Sequence, residues 1–187
     1  MTCNILDICH INIRSLNGEK IDALKADIVS SYDVICLTET HLPNSTSDLS
    51  LPGFQNILCK NRTGKTGGGV AVYASDQIGI TRKADLEIPG LELMWVRIKA
   101  GLNIFLLGVC YRPPNAKADF WQQLQDSVDL AKQTGIKNIL LTGDFNADLP
   151  TPEGHNLKDF TDSNNFDHHI KSPTRLTLTT YDIKKKC

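Results

Sequence analysis

Glu39 and Asp144 are the residues of this chain best placed to do chemistry, because each closes an apolar run. Asp33-Val-Ile-Cys-Leu-Thr38 leads into Glu39-Thr-His41, and Asn138-Ile-Leu-Leu-Thr142 leads into Gly143-Asp-Phe-Asn146. Short, uninterrupted apolar runs read as strands buried on both faces. A carboxylate at the end of such a strand stands at the rim of the core, where it is costly without a cation or donors. Two such rims, each an acid beside a polar companion, suit an oxygen-ligand site for a hard divalent ion such as Mg²⁺, which takes one or two carboxylates and keeps several waters. The competing reading of Glu39 is a solvated strand end. That of Asp144 and Asn146 is an Asx-rich turn. In extended chain the latter two share a face, pairing an acceptor for an attacking water with an amide that can donate to phosphate. Asn12 ends the first apolar run on the same face as His10, either as a neutral partner of the site or as the start of a turn at Arg14-Ser15. Tyr111, ahead of Arg112-Pro-Pro114, offers a hydroxyl at a strand end or forms an amphipathic edge of the core.

These positions need strands to carry them. Strands are expected over 4–13, 33–39, 55–60 and 69–74, the last two flanking the glycine-rich turn 62–69. Others are expected near 79–88, 91–99 and 103–111, the last ended by Pro113-Pro114. Ile21, Leu24 and Ile28 mark one helical stripe. A second helix spans about 118–134, with Trp121, Leu124, Val128 and Ala131 inward and Gly135 as its stop. The buried strand 137–142 follows, then a short helix near 156–164 with Leu157 and Phe160 inward. This order implies sheets packed together with helices outside, in one domain over 1–187.

Composition bounds the partners. With 41% apolar and 22% charged residues over 187 positions, the chain reads as an ordinary globular protein with one core. A net charge of −1 lacks the basic surplus of a nucleic-acid coating protein, so a phosphate-bearing partner must be gripped locally or through a metal. No secretory signal or membrane-length apolar segment is evident. Six cysteines without a C-x-x-C pair argue against zinc and for a reducing, intracellular compartment. Gly64-Lys65-Thr66 lacks the first glycine of a phosphate loop, since Cys59 stands there, and a strand-like run follows, so no nucleotide cofactor is expected. His168 and His169 would face opposite sides of a strand, no G-x-S-x-G elbow occurs, and Lys184–Lys186 is too brief a run to read as a signal.

Taken in order, Asn12-Ile-Arg-Ser-Leu16, Leu37-Thr-Glu-Thr-His41, Gly67-Gly-Gly-Val-Ala-Val-Tyr73, Tyr111-Arg-Pro-Pro114, Gly143-Asp-Phe-Asn146 and Pro173-Thr-Arg175 resemble the endonuclease/exonuclease/phosphatase superfamily. Within it they are most similar to the apurinic-type endonuclease domain of LINE-like non-LTR retrotransposons, elements in which a reverse transcriptase accompanies the nuclease. The resemblance implies an α/β (α+β) fold: two face-to-face, mixed, mostly antiparallel sheets flanked by helices, as in a DNase I-like four-layer sandwich. It implies Mg²⁺-dependent (or Mn²⁺-dependent) cleavage of DNA phosphodiesters, with a nuclear location. Carried over, Glu39 ligates the metal with Asn12 in support. Asp144 orients the water, Asn146 and Tyr111 hold phosphate oxygens, and Thr174 supports the site.

The chain departs from that pattern after Arg175. The family continues to an Ile-Asp and a Ser-Asp-His signature, whereas Leu176 to Cys187 contains neither, and Asp182 stands in the wrong context. The domain is therefore expected to lack its last strands and to be impaired, since losing a preorganised charge stabiliser costs ~10²–10³ in rate. Two alternatives accompany the nuclease: a phosphomonoesterase or phosphoinositide phosphatase of the same fold, and a catalytically dead module.

Overall fold

The computed structural model describes residues 6–42, 49–62 and 67–170. The chain splits into two compact units, Met1–Asn146 and Ala147–Cys187. The first holds two four-stranded mixed sheets. One sheet has the order β1-β2-β4-β3, with β1 (Ile8–Asn12), β2 (Val34–Thr38), β3 (Leu58–Lys60) and β4 (Val70–Ala74). The other runs β5-β6-β7-β8, with β5 (Gly79–Arg82), β6 (Leu93–Ala100), β7 (Asn103–Tyr111) and β8 (Ile139–Asp144). In each sheet one pair is parallel, β1 with β2 and β7 with β8, and the other ladders are antiparallel.

The period-two alternation of strands decides which residues meet between the sheets. Val34 and Cys36 of β2, with Val70 and Val72 of β4, join Met94, Val96 and Ile98 of β6 and Leu107, Val109 and Tyr111 of β7 in one core. The intervening residues Ile35, Leu37, Ala71 and Tyr73 face the other way and pack with Ile21 and Leu24 of helix α1 (Gly18–Asp27), which Asn17 caps by accepting from Lys20 N. On the second sheet, Trp95 is fully buried and donates from Nε1 to Ser127 Oγ of helix α2 (Phe120–Gln133) at 2.9 Å. Gly108 makes room for that indole, since a Cβ there would lie 2.8 Å from the ring. In the second unit, helix α3 (Pro152–Asn164) starts at its Thr151 cap and ends on Asn165 in the left-handed region.

The two apolar runs that open the argument differ in depth. β2, central in its sheet, is buried at every position, whereas β8 is only half-buried throughout. β8 has a single described neighbour, and an apolar run does not reveal whether its strand is central or at an edge. The strand expected over 79–88 stops at Arg82, because the chain turns into a short 3-10 helix, Ala84–Leu86, that carries Leu86 inward. The inner face of α2 holds Phe120 rather than Trp121, which is half-buried. α3 begins four residues earlier than expected, at the Thr151-Pro152 cap, and buries Gly154, Phe160 and Asn164 while Leu157 is half-buried. No helix among the described residues is long and apolar enough to cross a membrane.

An ionic lace joins the sheets at one edge. Glu87, with a side chain 6% exposed, accepts from Lys60 of β3 at 3.0 Å and from Arg82 of β5 through two 2.9 Å bonds. Lys60 also donates to Leu93 O, and Arg82 to Cys59 O. Burial pushes the Glu87 carboxyl up, but the bonds and charges of Arg82 and Lys60 outweigh it and hold the group below its usual range. Its stabilisation is thus present above the unfolded carboxylate value and is lost as pH falls through the lower folded one. Replacing Glu87→Gln should cost about 2 kcal/mol at pH 7, allowing for the partial exposure of both cations. In urea melts, the gap between wild type and variant should close below about pH 4. A gap independent of pH would contradict this account.

Candidate active site

The two parallel pairs have a geometric consequence. β1 and β2 run the same way in one sheet, β7 and β8 in the other, and the carboxyl ends of all four converge. Asn12 is the last residue of β1, Glu39 follows β2, and Tyr111 and Asp144 end β7 and β8 as direct register partners. The Asn12 amide Nδ2 donates to Glu39 Oε1 and to Asp144 Oδ2, each at 2.7 Å. Tyr111 stands beside them, close enough for the Glu39 charge to raise its phenol. Three of the residues singled out by sequence, Asn12, Glu39 and Asp144, thus share one hydrogen-bonded cluster, with Tyr111 at its side.

Several alternatives left open by the sequence coexist, because each side chain has two ends. Asp144 Oδ1 accepts from Asn146 N at 3.1 Å, the expected Asx turn, while Oδ2 faces Asn12. Asn12 Oδ1 likewise accepts from Arg14 N at 3.3 Å, beginning the turn. Tyr111, 6% exposed, is a core residue that also ends its strand at the rim, opposite Asp144. The Glu39 side chain is 21% exposed and hydrogen-bonded, so it is no freely solvated strand end.

Asn146 departs from expectation. Its φ is 44°, so the chain is no longer extended and the shared face with Asp144 is lost. Its Nδ2 instead donates to Arg112 O at 2.7 Å. Gly143 makes this close crossing possible: with φ 146°, a Cβ there would fall 1.8 Å from Cys110 O. Thr174 and Asp182 lie outside the described residues.

Four further groups border the cluster. His10, two residues before Asn12, meets Thr38 Oγ1 at 3.1 Å. Burial pushes its pKa down to about 4, against the pull of the Asp144 charge, so it is neutral near pH 7. His41 Nε2 lies 3.7 Å from Glu39 Oε2. Arg62 stands over the Tyr111 ring at 5.8 Å and donates from Nε to Glu92 Oε1 at 2.7 Å. Glu92 in turn accepts from Gly69 N at 2.6 Å. Arg112 donates to the carbonyls of Asn146 and Phe145. Position two residues before Asn12 could have flagged His10 by strand alternation. Nothing local distinguishes Arg62 or Arg112 from exposed arginines.

Burial first, then the charge and hydrogen bond of Glu39, push the Tyr111 phenol up to about 12, with Arg62 opposing. Tyrosine Cζ NMR should therefore show Tyr111 titrating near pH 12 rather than at the ordinary value of about 10. In Glu39→Gln the value should fall, yet stay above ordinary because the burial remains. An ordinary titration that Glu39→Gln leaves unchanged would mean the two groups are not joined.

A family model described as the Endonuclease/Exonuclease/phosphatase family matches residues 9–183. No curated protein is significantly similar to the chain in sequence. Among solved structures it is similar to the endonuclease domain of TRAS1, a telomere-specific non-LTR retrotransposon, with TM-score 0.65 and 12% identity over 84% of this chain and 71% of that one. The 3′ phosphatase NExo from Neisseria, bound to a product DNA hairpin, gives TM-score 0.54 and 16% identity over 84% and 71% of the two chains. ANGEL2, a 2′,3′-cyclic phosphatase, gives 0.56 and 15% over 82% and 57%. At these identities the likeness concerns the fold, which is the double-sheet sandwich expected from the motifs. With most of its length matched and with that fold, the chain belongs to the endonuclease/exonuclease/phosphatase family of hydrolases.

Proposed function

We propose that this chain acts as a metal-dependent DNA endonuclease that hydrolyses phosphodiesters by in-line attack of water. The observation that carries this reading is the Asn12 amide, bonded at 2.7 Å to both Glu39 and Asp144, which come from different sheets. The choice of DNA rests on the likeness to a retrotransposon endonuclease domain and to a phosphatase seen with a DNA product.

The donor set suits Mg²⁺ or Mn²⁺. Among the described residues no lysine or arginine forms an ion pair with Glu39 or Asp144. Nor do three or more His, Cys, Asp or Glu side chains gather there as a zinc cage requires. Glu39, supported by Asn12, would hold the ion, which when bound supplies Lewis-acid stabilisation of charge on the phosphate. The chain's own residues do the rest. Asp144 accepts the proton of the attacking water. Tyr111 keeps its proton to about pH 12 and so remains a donor to a phosphate oxygen. Asn146 spends one amide hydrogen on Arg112 O and offers the other to the substrate. Thr174 joins this assignment through the family motif alone.

Nicking of supercoiled plasmid with Mg²⁺ tests the proposal. Glu39→Gln and Asp144→Asn should each lower the rate ~10²–10³-fold, and chelation should abolish it. Cleavage indifferent to chelator and to Glu39→Gln would overturn the reading. Turnover confined to a 3′-phosphorylated hairpin or soluble inositol phosphates would move the assignment to a phosphomonoesterase of the same fold. Neither turnover nor Mg²⁺ binding by calorimetry would leave a catalytically dead module.

A further inference from the structure

Arg112 follows Tyr111 and is only 6% exposed. A guanidinium at that depth is costly unless compensated, and among the described residues no carboxylate pairs with it. Its compensation comes from other groups. Nη1 donates to Asn146 O at 3.2 Å and reaches Phe145 O at 3.5 Å. The cation lies over the rings of Phe120 and Trp121 at 5.5 and 5.6 Å. Trp121 stacks on Phe145 at 6.5 Å and 12°. The Arg112 main chain closes the same loop, its N–H donating to Asp144 O at 2.8 Å and its carbonyl accepting from Asn146 Nδ2. Arg112 therefore grips the 144–146 segment with its amide, its carbonyl and its guanidinium.

One atom gains nothing from this arrangement. Arg112 Nε is buried without a hydrogen-bond partner, a cost that an apolar side chain of similar length would not carry. Stability alone would favour a residue such as methionine. A polar head is needed because two adjacent carbonyls, both reached by Nη1, must be held where the Asn146 backbone turns left-handed. We propose that Arg112 is a positioning residue: by fixing the carbonyls of Phe145 and Asn146 it sets the direction of the Asn146 amide and of the Asp144 carboxylate that accepts from Asn146 N. The kinetic part of this inference rests on the hydrolysis proposed above, whereas the structural part stands without it.

Arg112→Met and Arg112→Lys, in the full chain, separate the two. Arg112→Met should melt no earlier than wild type while its kcat for plasmid nicking falls about 10- to 100-fold with KM within about 2-fold, the pattern of a misplaced group rather than a lost contact. Backbone amide exchange at Asn146 should accelerate at least about 10-fold, since its bond to Asp144 depends on the turn. Arg112→Lys, which keeps a nitrogen donor but loses the planar head that lies over Phe120 and Trp121, should recover part of both losses, and it decides the matter if the methionine variant fails to fold. Wild-type kcat and Asn146 protection in a folded variant would overturn the inference. So would a kcat loss that tracks a lower Tm with Asn146 exchange unchanged. If wild type cleaves nothing, the functional reading fails, and Asn146 exchange alone then decides the role of Arg112.

Discussion

One amide nitrogen holds two carboxylates, and the arrangement of this molecule around it follows from that fact. Asn12 Nδ2 donates at 2.7 Å to Glu39 and at 2.7 Å to Asp144, so the acids can be no further apart than those two bonds laid end to end. At an effective dielectric near 20, like charges so placed repel by about 3 kcal/mol. The Asn146 backbone amide absorbs part of that charge as a neutral donor, and His41 stands 3.7 Å from Glu39. Asn12 and Glu39 issue from one sheet, Asp144 and Tyr111 from the other, so the cluster exists only while the sheets stay packed face to face.

The backbone around the cluster is bent out of its easy conformations. Arg14, Ser15, Glu39, His41 and Asn146 all have positive φ without being glycine, each at a cost of order 1–3 kcal/mol. Such bends persist where neighbours over-determine them. Ser15 N donates to Glu39 O and Leu16 N to Thr40 O, while Thr40 N and His41 N donate to Gly69 O and Gly68 O. Lys20 Nζ donates to the carbonyls of Ile13 and Arg14. Glu92 ties Gly69 N to Arg62, which lies over Tyr111. The glycine run that reads in sequence as a simple hairpin turn is therefore one wall of the Glu39 turn.

That contrast shows what a sequence of this kind makes legible. The strands carrying the acids were readable because an apolar run stopped by a carboxylate is a local signal. β7 spans the expected 103–111, its end marked by Pro113-Pro114. Relations that depend on partners chosen elsewhere were hidden. β8 is half-buried because it has one described neighbour, and β5 ends early because the chain turns into the 3-10 helix that carries Leu86 inward. Asn146 lost the face it would share with Asp144 because Arg112, 34 residues earlier, takes its amide. The ordered motifs, more than composition, carried the fold.

Charge sets the remaining constraint on the proposed reaction. With a net charge of −1 the chain has no long-range pull on a polyanion, and its central cluster carries two carboxylates that repel one. Under the proposed reaction, recognition would then come from short-range groups that become favourable only once the phosphate is seated, such as a neutral phenol, neutral amides and the ion that Glu39 would hold. A neutral donor loses less hydration than an ammonium when the site closes, and it does not compete with a cation for Glu39. It is consistent with this that two cations bordering the cluster are spent on the protein itself, Arg62 on Glu92 and Arg112 on two main-chain carbonyls. Free to approach Glu39 or Asp144, either arginine would neutralise the acid that a divalent ion needs. Held as they are, they fix the geometry of the site and leave its charge uncompensated.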